Sequence, residues 1–296
     1  MKLAKPRRWQ ADLSLGLVAL VWGSTFVIVK GVLADISTLY FLALRFAIAA
    51  VCLLLIFWHP FSRVPVRKVW HGIRGGMAAG AFLWLGYVLQ TFGLKYTTAG
   101  NSGFLTGLYV ILVPLLGAIL YRRRPQSWEF GGILLATAGM LLLTLPATRS
   151  SWHMNKGDLL TLGCAVAFAF HLLILGYFSQ REMFQAVALG QVAFAALLSA
   201  GSLAVEPPQA RWTQGVVLAI LLTAVFATAL AFALQTWGQK YTTPTRTALI
   251  LALEPVFALV TAVLFAHENL TLAGVFGGIL ILAGILMVEL KPRIET

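Results

Sequence analysis

Residues 90–98 read QTFGLKYTT, and residues 235–243 read QTWGQKYTT. Seven of the nine positions are identical, and the copies lie 145 residues apart in a chain of 296. The same offset continues downstream, where Gly132 returns as Gly277 and Ala138-Gly139 as Ala283-Gly284. A match of this length with a collinear tail marks an internal duplication of half the chain, and that decides the architecture before any single helix is placed.

Composition sets the solvent. Apolar residues make up 59% of the chain and charged residues 11%, against about 45–50% and about 25% in soluble domains. Lipid has to cover that much apolar surface, so the chain reads as an integral membrane protein. The formal charge of +12 would point to nucleic acid in a soluble protein. Here the basic residues fall between apolar runs, so they report topology, and no nucleic-acid partner is expected. Cys52 and Cys164 both sit inside apolar runs. They form neither a disulfide framework nor a metal pattern, and no metal or cofactor is expected. The basic start, with Lys2, Lys5, Arg7 and Arg8, imitates a signal peptide. The apolar run that follows is long enough to span and lacks a small-residue cleavage site, so it reads as a first helix.

A helix needs about 20 apolar residues to cross the hydrocarbon core. Ten runs qualify: roughly 11–33, 37–58, 72–94, 99–121, 127–145, 157–178, 184–204, 213–238, 244–266 and 270–290. The connections are too short for a soluble domain, which places the function inside the membrane. With the N-terminus inside, sixteen Lys and Arg residues, Arg122 to Arg124 among them, lie on that side and four on the other. Basic residues accumulate on the cytoplasmic side, so both termini are expected in the cytoplasm, in a bacterial inner (plasma) membrane. Five helices per half is an odd number, so the second copy must insert upside down. The expected fold is all-α: ten transmembrane helices as a 5+5 inverted repeat around a central cavity. Residues 1–145 form the first half and 146–296 the second. This is the build of many secondary transporters. The two KYTT segments then turn the chain at opposite faces, ahead of Ala99 and Pro244, and Lys95 and Lys240 share no site.

Candidate site residues are the polar and aromatic groups inside the spans. Glu254, followed by Pro255, lies near the centre of the ninth run, where proline frees a backbone carbonyl. It reads either as a proton or ammonium site or as a carboxyl paired with Arg246 or Arg45. Arg45 suits a solute carboxylate by its planar fork, with a buried ion pair or snorkelling as the alternative. Lys30 reads as snorkelling. Trp22 with Thr25, Trp84 with Tyr87, Tyr109 on the fourth run, and Phe168 with His171 recur at helical spacing. Converging from several helices, they would wall a small-molecule cavity; singly, they would be packing. Pro114 and Pro255 are the candidate bends. Gly72, Gly76 and Gly80, then Gly103 and Gly107, then Gly274 and Gly278, read as close-packing faces. A homodimer seam through the glycines of the fifth and tenth runs is the alternative. No Walker loop, HExxH, GxSxG or paired-carboxylate pattern occurs, so no enzyme activity is expected.

Trp22-Gly23-Ser24-Thr25, Arg45-Phe46, Glu254-Pro255 and Phe265-Ala266-His267-Glu268, in this order, resemble the EamA family of the drug/metabolite transporter superfamily. The resemblance covers nearly the whole chain. It implies secondary transport by alternating access between two halves, commonly export of amino acids, metabolites or drugs. Members resembling YddG move aromatic amino acids. An intramembrane enzyme and a permease for other metabolites, drugs or nucleotide precursors are the rival readings. The family often carries a Glu after the fourth helix, matching Glu268 in the second half; this chain has Arg122 to Arg124 there.

Overall fold

The computed structural model describes residues 8–121, 126–144, 154–265 and 271–289. The first half contains α1 (Arg8–Val32), α2 (Thr38–Ser62), α3 (Val66–Tyr96), α4 (Ala99–Gly107), α5 (Tyr109–Tyr121) and α6 (Ser127–Thr144). The second contains α7 (Lys156–Arg181), α8 (Phe184–Ser202), α9 (Gln214–Ala224), a π-helical segment (Val225–Leu230), α10 (Ala231–Gln239), α11 (Pro244–Leu251), α12 (Glu254–Phe265) and α13 (Leu272–Glu289). Among the described residues, eight helical spans are long and apolar enough to cross a membrane, and α6 and α13 are shorter apolar helices. The expected all-helical membrane fold is therefore present. Arg122 to Arg124 and His267-Glu268 lie outside the described residues.

Successive spans run in opposite directions, so every second connection returns to one face. The start of α1 defines the amino-terminal face, and the end of α1 the distal face. On the distal face Ile36 pairs with Ala210, and Lys30 Nζ donates to the Thr97 carbonyl at 2.5 Å. Lys30 therefore caps a neighbouring helix end rather than snorkelling. On the amino-terminal face Gln180 Nε2 donates to the Thr242 carbonyl at 2.9 Å. The two KYTT copies thus end at opposite faces. Each final threonine caps the next helix: Thr98 Oγ1 accepts from Asn101 N at 3.1 Å, and Thr243 Oγ1 from Arg246 N at 3.3 Å. A short side-chain acceptor satisfying an otherwise orphaned amide is what begins a helix there.

Glycine brings the helices together. A Cβ added to Gly76 of α3 would lie 2.3 Å from the Val187 carbonyl, and one on Gly190 of α8 would lie 2.4 Å from the Ile73 carbonyl. Only hydrogen fits between these backbones. α6 and α13 use the same device on each other: a Cβ on Gly139 would meet Gly277 O at 2.4 Å, and one on Gly284 would meet Gly132 O at 2.5 Å. Gly132, Gly139 and Gly284, candidates for the dimer seam, pack α6 and α13 against each other within one chain, while Gly274 and Gly278 face Leu259 and Val256 of α12.

Candidate functional site

A cleft with an empty volume of about 650 Å³ lies between the halves. Its lining follows the repeat. At the offset of 145, Tyr87 pairs with Phe232, Gln90 with Gln235, Thr106 with Leu251, and Tyr109 with Glu254. At an offset of 146, Trp22 pairs with Phe168, Thr25 with His171, and Phe26 with Leu172. Fourteen of the nineteen lining residues are therefore mirror partners. Tyr109 and Glu254 even bond each other, the phenol donating to Glu254 Oε1 at 3.0 Å. A bond between equivalent positions lies on the pseudo-twofold axis, so the cleft surrounds that axis.

Five lining residues have no mirror partner in the cleft: Val29, Arg45, Leu83, Thr91 and Leu94. All belong to the first half, and all but Leu83, which lies at mid-depth on α3, extend the cleft toward the distal face. Their counterparts Leu175, Gln191, Thr228, Thr236 and Gln239 are fully buried. The cleft therefore reaches toward the distal face and is closed toward the amino-terminal face, where the counterparts do not line it. The seal is made by Asp12 of α1 and Arg246 of α11, which form a two-point ion pair at 3.0 and 2.7 Å. Gly238 packs onto Ser14 and Leu15 beside it.

Arg45 reaches the cleft from α2. Its Nε donates to Thr228 Oγ1 at 2.7 Å, and its Nη2 to Tyr87 Oη at 3.1 Å and to the Ala227 carbonyl at 3.2 Å. Its guanidinium carbon lies 4.6 Å from the Tyr87 ring centre. These partners are all neutral. The Ala227 carbonyl also accepts from Trp22 Nε1 at 2.8 Å. That carbonyl can take side-chain donors because it lies in the π segment, where the wider helical turn loosens the backbone ladder. Glu254 stands at the start of α12, across the break after Leu251, where the proline reading expected free backbone. Its hydrogen-bond partner is Tyr109, so neither arginine proposed for it from sequence is used: Arg246 takes Asp12 and Arg45 takes the π segment. Pro114 lies inside α5, and the matching break in the first half falls at Leu108 instead.

The walls are aromatic. Tyr87 packs edge-on to Phe168 and Phe232, with ring centres 5.5 and 6.3 Å apart, and Trp22 lies 5.2 Å from Phe232. His171 Nε2 is 2.7 Å from Gln191 Oε1. Of the sequence candidates, Trp22, Thr25, Arg45, Tyr87, Tyr109, Phe168, His171 and Glu254 come together around the cleft. Trp84 does not; it packs against the apolar core between α2, α3 and α8. Sequence reasoning placed Thr91 on the face of Tyr87 but missed Gln90 and Gln235. The signal was in view, since each copy of the repeated stretch opens on glutamine.

This is a multi-pass helical membrane protein with a cleft between its two repeats. The EamA-like transporter family matches residues 9–145 and again 155–290, and the chain belongs to that family. It is a transporter, not an enzyme. Similar proteins include an uncharacterized transporter of Archaeoglobus fulgidus, 36% identical over 285 residues, covering 96% of this chain and 87% of that protein. A probable amino-acid metabolite efflux pump of Escherichia coli K12 is 26% identical over 283 residues, covering 91% of each. A solved crystal structure at 21% identity shares the fold, with a TM-score of 0.77 over 98% of this chain and 100% of the other.

Proposed function

We propose that the chain exports an amino acid or a closely related metabolite across the bacterial inner membrane by alternating access, with aromatic side chains favoured. The carrying observation is the cleft itself: one cation, Arg45, and one carboxyl, Glu254, set among aromatic walls on the axis. A zwitterion offers the complementary pair, its carboxylate to Arg45 and its ammonium to Glu254. Its side chain rests among Trp22, Tyr87, Phe168 and Phe232. Guanidinium suits the carboxylate because its fork can donate two parallel bonds. The likeness to a probable amino-acid metabolite efflux pump supports the solute class and the direction.

The surplus of basic residues on the amino-terminal face supports placing both termini in the cytoplasm. The described cleft then opens outward. In the opposite form the halves exchange roles: Leu175, Gln191, Thr228, Thr236 and Gln239 enter the lining, and Val29, Arg45, Leu83, Thr91 and Leu94 leave it. Residues 1–145 and 146–296 act as the two moving halves, with the small solute and the bilayer as the only partners required.

Flux into proteoliposomes, measured with each proteinogenic amino acid, tests the reading. Saturable flux is expected, strongest for aromatic solutes. Saturable flux of other metabolites or drugs, with none for amino acids, would replace the solute class. No saturable flux of any small solute would overturn the transport reading.

A further inference from the structure

We propose that Gln235 is a solute-binding residue, its side-chain amide forming the hydrogen-bonding contact at the sealed end of the cleft. This rests on the amino-acid reading above. Gln235 lines the cleft with 1% of its surface exposed, and its Oε1 has no hydrogen-bond partner. It stands one turn beyond Phe232 toward the amino-terminal face. A buried amide oxygen left unpaired destabilises the solute-free protein, and the loss is recovered when a donor arrives.

The repeat explains why this amide is open and its twin is not. Gln90 occupies the equivalent position, and its Nε2 donates to Thr106 Oγ1 at 3.1 Å. The residue equivalent to Thr106 is Leu251, which offers no hydroxyl. The first half therefore braces its glutamine, and the second half leaves its own free by sequence rather than by a passing conformation. The helix that presents Gln235 is itself held. Thr236 Oγ1 accepts from Gln191 Nε2 at 3.0 Å, and Gln239 Nε2 donates to the Leu172 carbonyl at 3.1 Å. A fixed amide with both donor and acceptor capacity reads polar solute groups more stringently than an apolar wall does.

The test uses the full chain purified in detergent, screened by thermal shift against the twenty proteinogenic L-amino acids. Affinity for each stabilising amino acid is then measured for Gln235→Leu, Leu251→Thr and Gln90→Leu. Gln235→Leu removes no internal bond, so its solute-free melting temperature should match or exceed that of the natural chain, while affinity falls about tenfold or more. Leu251→Thr supplies the hydroxyl that Gln90 already enjoys. It should weaken affinity by engaging Gln235, with some loss of melting temperature because Leu251 is a fully buried core side chain. Gln90→Leu should lower the melting temperature, because its bond is internal. A drop of more than about 5 °C in Gln235→Leu, or unchanged affinity for every stabilising amino acid, overturns the assignment. If the natural chain responds to none of the twenty, the amino-acid reading itself fails, and the assignment falls with it.

Discussion

Arg45 and Glu254 carry the proposed solute contacts, and each is held in a way that predicts its variants. Arg45 meets a hydroxyl, a phenol and a carbonyl at once. Lysine keeps the charge but cannot reproduce the fork. Arg45→Lys should raise the KM of a zwitterionic solute at least tenfold, about 1.4 kcal/mol, and leave the decarboxylated amine nearly unaffected. Equal effects on both solutes in paired flux assays would remove the carboxylate role. Glu254→Gln keeps the size and the Tyr109 neighbour but removes a titratable group. Flux should fall at least tenfold and lose its dependence on pH if the carboxyl carries a proton or holds an ammonium. Wild-type flux and an unaltered pH profile would make Glu254 a structural residue. Trp84 belongs to the core, so Trp84→Ala should depress flux of aromatic and aliphatic solutes in equal proportion and lower thermal stability. Selective loss for aromatic solutes would bring it back to the site.

At the scale of helices, the seal on the amino-terminal face is asymmetric in sequence. Asp12 has an equivalent in Asp158, but Arg246 corresponds to Asn101. On the distal side Asp158 accepts instead from Thr97 Oγ1 at 2.6 Å. An ion pair locks one face, and a neutral hydroxyl reaches the equivalent carboxylate on the other. Hydrogen bonds to charged groups contribute about 1.5–3 kcal/mol, so losing the lock should shift the balance of forms by about tenfold or more. Asp12→Asn, combined with a cysteine at Leu175, is expected to become reactive to a membrane-impermeant thiol reagent from the amino-terminal face. The same cysteine with Asp12 intact should stay protected. Labelling that does not change would deny the ion pair a gating role.

Much of this level was legible in sequence, and the failures have physical causes. Helices in lipid must satisfy their own backbone, so apolar length alone located the spans. The corners were legible because capping depends on local residue type, as at Thr98 and Thr243. The break at Leu108 was not, since it follows from repeating the geometry of the second half and needs no proline. Nor was the π segment, whose sequence VFATAL is ordinary; its loosened turn is held by Trp22 and Arg45 from distant helices. Trp84 was misplaced because helical spacing selects a face without saying whether that face meets the cleft or the core.

At the scale of the molecule, the cleft is a map of the repeat: seven mirror pairs about the axis and five first-half residues without partners in it. Exchange between the two forms should swap those five with their equivalents outside the cleft. Cysteines at Val29 and Leu175 should therefore react in opposite proportions, and a solute that stabilises one form should protect one and expose the other. Both reacting in parallel would exclude exchange of the halves.

The bond between Tyr109 and Glu254 carries a consequence for how such a chain can diverge. A gene duplication begins with the same residue facing itself across the axis. Two glutamates there would repel, and two tyrosines would leave the cleft without a carboxyl. A phenol and a carboxylate satisfy each other, so a change at either copy of this position has to be answered by a change at the other.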